Sequence, residues 1–316
     1  MTKASYQSKW GPEVMPNLLF GESYTDLGVN HALAVTAFED GMAGHLEMAK
    51  ELEDRHPDRI WNYAGVSPLR KDHPVQVAED PIADLERQAE QIEARGLKLY
   101  PFHWDRDDVS PMSMDDAEIA YPLYEKALDL GIDVVSIHKS LPLGATSLGN
   151  QNPEDVANAA ENFPEIDFEI VHGGLTFAEE IGAMMATQPN IYVNLETVTA
   201  LAYSAPGRFT EIISELLKHT GSAGIERLLW GTGGAPAHPR LCLEAFWDLE
   251  FPEMEGYFET FTLTETDKKA ILGENFAQMH GFEVEDLTED IGDDRFAQQD
   301  SLMEPFSDFE SKVVAE

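Results

Sequence analysis

SMDDAEIAYPLYEKALDLGIDVVSIH, residues 113–138, reads as a helix that stops at a glycine and passes directly into a short apolar strand. Its first part has helical spacing, with Pro122 in the first turn or at a kink, and Gly131 suits the left-handed turn that ends a helix. Ile132, Val134, Val135 and Ile137 then make a β-prone run closed by His138. A helix feeding a buried strand is one unit of a β-α repeat, and the neighbouring sequence continues it.

Working outward, strand-like runs occur at 31–38, 59–66, 97–102, 132–138, 167–172, 190–196 and 227–232. Helix-like segments lie between them at 42–56, 81–96, 113–131, 153–164, 177–188 and 206–221, with a closing helix at 264–281. The 81–96 helix is expected to stop at Gly96, and Thr264 followed by Asp267 suits the start of the closing helix. Seven such units over about 250 residues favour a closed (β/α)8 TIM-type barrel over an open sheet. An eighth strand is wanting. The deficit falls at the N-terminus, because residues 1–21 carry Gly11, Pro12, Pro16 and Gly21 and no convincing strand. The division expected is an irregular segment at 1–21, a barrel at 22–282 and an acidic extension at 283–316 that lies on the surface, lies on a neighbouring subunit or is disordered.

Composition narrows the function. The 316 residues include 59 acidic and 21 basic side chains, a formal net charge of −38. The surplus is spread along the whole chain, so the surface repels nucleic acid and anionic membranes. It reads as a halophilic surface, whose self-repulsion high salt screens; a dedicated basic partner is the rival reading. One cysteine, Cys242, allows no internal disulfide. The N-terminus lacks the basic start and long apolar run of a signal peptide, and no stretch approaches 18 apolar residues, so a cytoplasmic protein is expected.

Catalytic groups of such barrels come from the C-terminal ends of the strands. Those ends offer Lys98 and His103, then His138, His172, Glu196 and, past the last strand, Gly233 and His238. His138 and His172 close successive apolar strands and support each other as site residues. Lys98 lies within an apolar strand, where an ammonium is costly to bury unless it faces a polar mouth. His103 reads first as a hydrogen-bonded or surface residue, Glu196 serves a loop amide as readily as a site, and His238 before Pro239 suits a helix cap. His31, His45, His56, His73, His219 and His280 carry no functional reading.

GLKLYP, DVVSIHKS, DFEIVHGG, NIYVNLE, RLLWGTGG and ILGENFAQMHG follow the order and spacing of the amidohydrolase superfamily. The resemblance runs over about residues 22–282 and is strongest to the amidohydrolase-2 branch, which includes aminocarboxymuconate-semialdehyde and resorcylate-type decarboxylases; HPDRIWNYAGVSP resembles that branch's third strand. It implies a distorted barrel with a catalytic divalent metal, usually zinc. His138 would be a metal ligand and His172 a second ligand or a catalytic acid/base; Lys98, read from its place in the strand, would hold a substrate carboxylate or tune the site. Two elements of the pattern are missing. No His-x-His pair occurs, and Gly233 stands where the resemblance implies a metal-binding aspartate.

The reading is therefore an amidohydrolase-related enzyme that hydrolyses or decarboxylates a small carboxylated or cyclic substrate, with or without a divalent metal. Its alternative is a non-catalytic accessory subunit that has lost the metal site. No nucleic acid or membrane partner is expected, and an open barrel edge leaves room for a homo-oligomer.

Overall fold

A computed structural model describes residues 12–32, 46–68, 80–104, 109–142, 146–233 and 237–307. Its centre is a seven-stranded parallel sheet: β1 (Gly28–His31), β2 (Ile60–Gly65), β3 (Ala94–Leu99), β4 (Val134–His138), β5 (Asp167–Val171), β6 (Ile191–Asn194) and β7 (Leu228–Leu229). Spatial order equals chain order from β1 to β7. Each crossover carries a helix, the arrangement that right-handed β-α-β connections impose. The sheet curls into most of a barrel, and among the described residues no hydrogen-bond ladder joins β7 to β1.

The helices are α1 (Leu46–Arg55), α2 (Pro81–Gln91), α3 (Tyr121–Asp129), α4 (Glu154–Asn162), α5 (Ala178–Thr187), α6 (Thr199–Ser204), α7 (Pro206–Leu217) and α8 (Pro239–Asp248). A composite closing helix follows, with Glu265–Lys269 and Asn275–Met279 α-helical around a π-turn at Ala270–Glu274. Thr264 and Asp267 form its capping box as expected.

Strand alternation sorts the side chains into two environments. Leu97, Leu99, Val135, Ile137, Phe168 and Ile170 face the helices and join the main core. The alternate residues face the barrel interior, whose floor is Tyr63, Val134, Leu229 and Met279. Above that floor Lys98, Ser136 and Glu169 stand side by side in register across β3, β4 and β5.

Three expectations change. The first strand is Gly28–His31, earlier than the expected 31–38, of which residues 33–38 lie outside the described residues. Helix α2 ends at Gln91, and Gly96 sits inside β3. A Cβ at Gly96 would come 2.8 Å from the ring of Tyr63, its pairing partner on β2, so this glycine serves a close approach between neighbouring strands and not a helix terminus. The 113–131 helix begins only at Tyr121, which puts Pro122 in its first turn.

Candidate active site at the strand ends

His138 is the last residue of β4, and His172 follows β5 directly. Strand pairing of His138 with Val171 sets the two rings at neighbouring strand ends. His172 adopts φ of 64°, Ser140 66° and Thr197 65°. Three left-handed non-glycine residues just past three consecutive strands mark a strained rim, which packing must hold in place.

The rings form a directed chain. A carbonyl only accepts, so His138 Nε2 carries the proton that it donates to the Leu141 carbonyl at 2.6 Å. Burial, and then the His172 and Lys98 charges, hold the His138 ring well below its ordinary pKa, so it is neutral and its Nδ1 is an acceptor. His172 Nε2 lies 2.9 Å from that Nδ1 and therefore donates. His172 Nδ1 lies against Glu196 Oε2 in an ion pair. Burial works to raise the Glu196 carboxyl, but His172, the Thr197 hydroxyl at 2.8 Å and Lys98 outweigh it and keep it below the usual carboxylate range. Both nitrogens of the His172 ring are thus engaged, Nε2 by His138 and Nδ1 by Glu196. The His172 and Glu196 side chains are 12% and 19% exposed while His138 is 3% exposed, so the chain opens toward solvent at its acidic end.

Lys98 lies beneath these groups. Its Nζ is 3.4 Å from Ser136 Oγ and 5.4 Å from the centre of the Tyr100 ring, which stacks on His138 at 5.0 Å. Burial lowers the Lys98 ammonium to about 8, with Glu169 and Glu196 working against that shift.

Sequence reasoning missed two members of this polar layer. Glu169, fully enclosed in mid-strand, has its pKa raised by burial and accepts from Asn194 Nδ2 at 2.5 Å. His31 stands 3.7 Å from Glu169 Oε2 and stacks on Tyr63. The signal for Glu169 was the one that singled out Lys98, a charge between apolar neighbours in a strand. His31 gave none, because its strand was placed three residues late. His103 lies instead on a short hairpin, Phe102–Trp104 with Val109–Pro111, where its Nδ1 meets Ser67 Oγ at 2.9 Å. His238 caps α8 by accepting from Arg240 N and pairs with the buried Glu22 at 2.9 Å.

The divalent metal that the resemblance implies can be tested on these donors. His138 spends one nitrogen on Leu141 and the other on His172, and His172 spends its second on Glu196. Neither ring has a lone pair left to give in this arrangement. Among the described residues no group of three or more His, Cys, Asp and Glu converges as a metal site requires. The side chains as placed do not fit the metal.

The sequence model of the amidohydrolase family matches residues 21–282. Protein fluG of Emericella nidulans is 26% identical over 113 residues, 36% of this chain, and the matched stretch spans only 12% of that protein. Among solved structures, an uncharacterised TIM-barrel protein from Bordetella bronchiseptica superposes with a TM-score of 0.64 at 18% identity, covering 87% of each chain. A dihydroxybenzoic acid decarboxylase from a Polaromonas species, solved with manganese and the inhibitor 2-nitroresorcinol, gives a TM-score of 0.55 at 15% identity over 85% of this chain and 84% of that one. At these identities the structural likenesses establish the barrel fold.

Proposed function

The chain belongs to the amidohydrolase family, and from that membership we propose that it is an enzyme that decarboxylates a small carboxylated cyclic substrate. The observation that carries this reading is the chain of contacts from Leu141 through His138 and His172 to Glu196, two hydrogen bonds and an ion pair, which sets an imidazole against a carboxylate at the open end of the barrel. Breaking a carbon–carboxylate bond leaves an electron pair on carbon, and that carbon needs a proton. His172 is placed as the acid that supplies it, and Glu196 balances the charge of the ring beforehand. Lys98, buried beneath the two rings with the Ser136 hydroxyl 3.4 Å from its Nζ, would hold the substrate carboxylate. The decarboxylase among the fold relatives accords with this choice of substrate class.

The test is incubation with small ring carboxylates in D2O. Release of CO2 with deuterium at the vacated carbon is the expected result, and His172→Asn should slow turnover about 10²- to 10⁴-fold, the usual worth of a positioned acid. Wild-type turnover in that variant would overturn the assignment of His172. Binding of the acids with no turnover in the wild-type protein would instead favour the non-catalytic reading.

A further inference from the structure

The last strand and its turn lack side chains at two positions, Gly231 and Gly233, and the structure shows what fills the space. A Cβ on Gly231 would run into Asn194 Oδ1, and a Cβ on Gly233 would run into Glu196 Oε1. Both intruding groups come from β6 and its end. They are also tied to each other, because Asn194 Oδ1 accepts from the Glu196 backbone N–H at 2.9 Å while Asn194 Nδ2 donates to Glu169. The backbone beneath them is fixed as well. Thr199 Oγ1 donates to the Gly231 carbonyl at 2.8 Å, and Gly233 holds a φ of 60°. Glu196 is therefore braced by the Thr197 hydroxyl, by Asn194 through its own backbone, and by the bare backbone of the last strand.

We infer that Glu196 is the positioning carboxylate of this site, leaning from β6 into the room that a side chain on residue 233 would otherwise take, and that Gly231 and Gly233 are glycines in order to admit Asn194 and Glu196. A side chain at 233 and Glu196 in this position exclude each other, since a Cβ there would stand 1.7 Å from Oε1 and Glu196 would have to swing off His172. The absence of an aspartate at 233 is thus one half of an exchange, and its other half is the carboxylate that holds His172. Glu196 acts through His172, fixing the ring so that Nδ1 points at the carboxylate and Nε2 at His138. The inference concerns the same site as the proposed function but stands on packing, so it survives even if the reaction is not a decarboxylation.

Two measurements on the full-length protein, neither needing a substrate, decide it. The first is thermal unfolding of Gly233→Asp, Glu196→Gly and the double variant. Aspartate tolerates a left-handed backbone better than most residues, so the collision with Glu196 dominates the single change. Gly233→Asp should lower Tm, and adding Glu196→Gly should return at least half of the loss. An equal loss with and without Glu196 would overturn the exchange. The second is the ring ¹⁵N spectrum of His172 at one neutral pH, in wild type and in Glu196→Gln. The protonated, hydrogen-bonded Nδ1 signal should be present in the first and lost in the second, whose circular dichroism remains that of the folded protein. A His172 signal that is the same in both would overturn the positioning role, because a side chain that only filled space would leave the ring's protons unchanged.

Discussion

His172 has both nitrogens committed, and each commitment has a measurable consequence. Neither His138 nor His172 offers a free lone pair. The purified protein is therefore expected to bind zinc and manganese far below one equivalent after exposure to excess metal, as read by inductively coupled plasma mass spectrometry; one equivalent in wild type that disappears in His138→Ala would refute this. Lys98 gives a pH signature. Its folded pKa is about 8, below the ordinary 10.5, because burial disfavours the charged amine. Between those values the unfolded chain binds more protons than the native one, so stability should rise with pH from about 8 to about 10.5, and the burden of a buried charge is fully present below 8. Lys98→Met should flatten the slope of urea stability against pH in that window; an unchanged slope would locate the effect elsewhere. Activity that needs the charged amine should run the opposite way, falling as pH passes 8. The strand-end histidines were legible in sequence because apolar runs terminate in them. The Glu196 contact was not, since it depends on which strands are neighbours and on what stands opposite a glycine.

At the scale of elements, the β-α alternation was readable because helix and strand periodicities differ and glycines and prolines punctuate them. The reading of Gly96 failed for a physical reason. A glycine after an amphipathic helix fits a C-cap and a close packing point equally well, and only the ring of Tyr63, brought from β2, distinguishes them. Gly96→Ala should push that ring off the barrel floor, where its hydroxyl meets His280 Nε2 at 2.6 Å. The expected cost is roughly 1–3 kcal/mol, as for other overpacked interiors. Urea unfolding measures it, and a change within error would mean that the floor yields freely. The last strand is short for a related reason. Only Leu228 and Leu229 pair with β6, after which Trp230 N bonds to the Ile271 carbonyl and the chain turns through glycines.

Over the whole molecule, the tail segment clasps the N-terminal one. Phe296 packs on Phe20 at 5.3 Å, Arg59 pairs with Asp294, Met303 N bonds to the Gly21 carbonyl at 3.0 Å and Phe306 N to Glu22 at 2.6 Å. Glu22 in turn holds His238 at the start of α8. A chain ending at Thr288 should unfold at a lower temperature by calorimetry, and an unchanged Tm would show that the clasp adds nothing. The charge of −38 acts on every element at once. Its self-repulsion is screened by salt, so the unfolding temperature should climb from low to molar salt, and a flat or falling dependence would defeat the halophilic reading. Among the described residues no helix is long and apolar enough to cross a membrane.

By itself the sequence determined the order of strands and helices, the barrel class, the acidic composition and the presence of histidines and a lysine at strand ends, because each is a local matter of periodicity, punctuation or composition. Only the tertiary structure decided what those groups do to one another. Glu196 and Gly233 are 37 positions apart, and Lys98, Ser136 and Glu169 share a layer through register across three strands. A missing side chain carries no meaning in a string of letters, and it acquires one when a neighbouring strand places a carboxylate in the space.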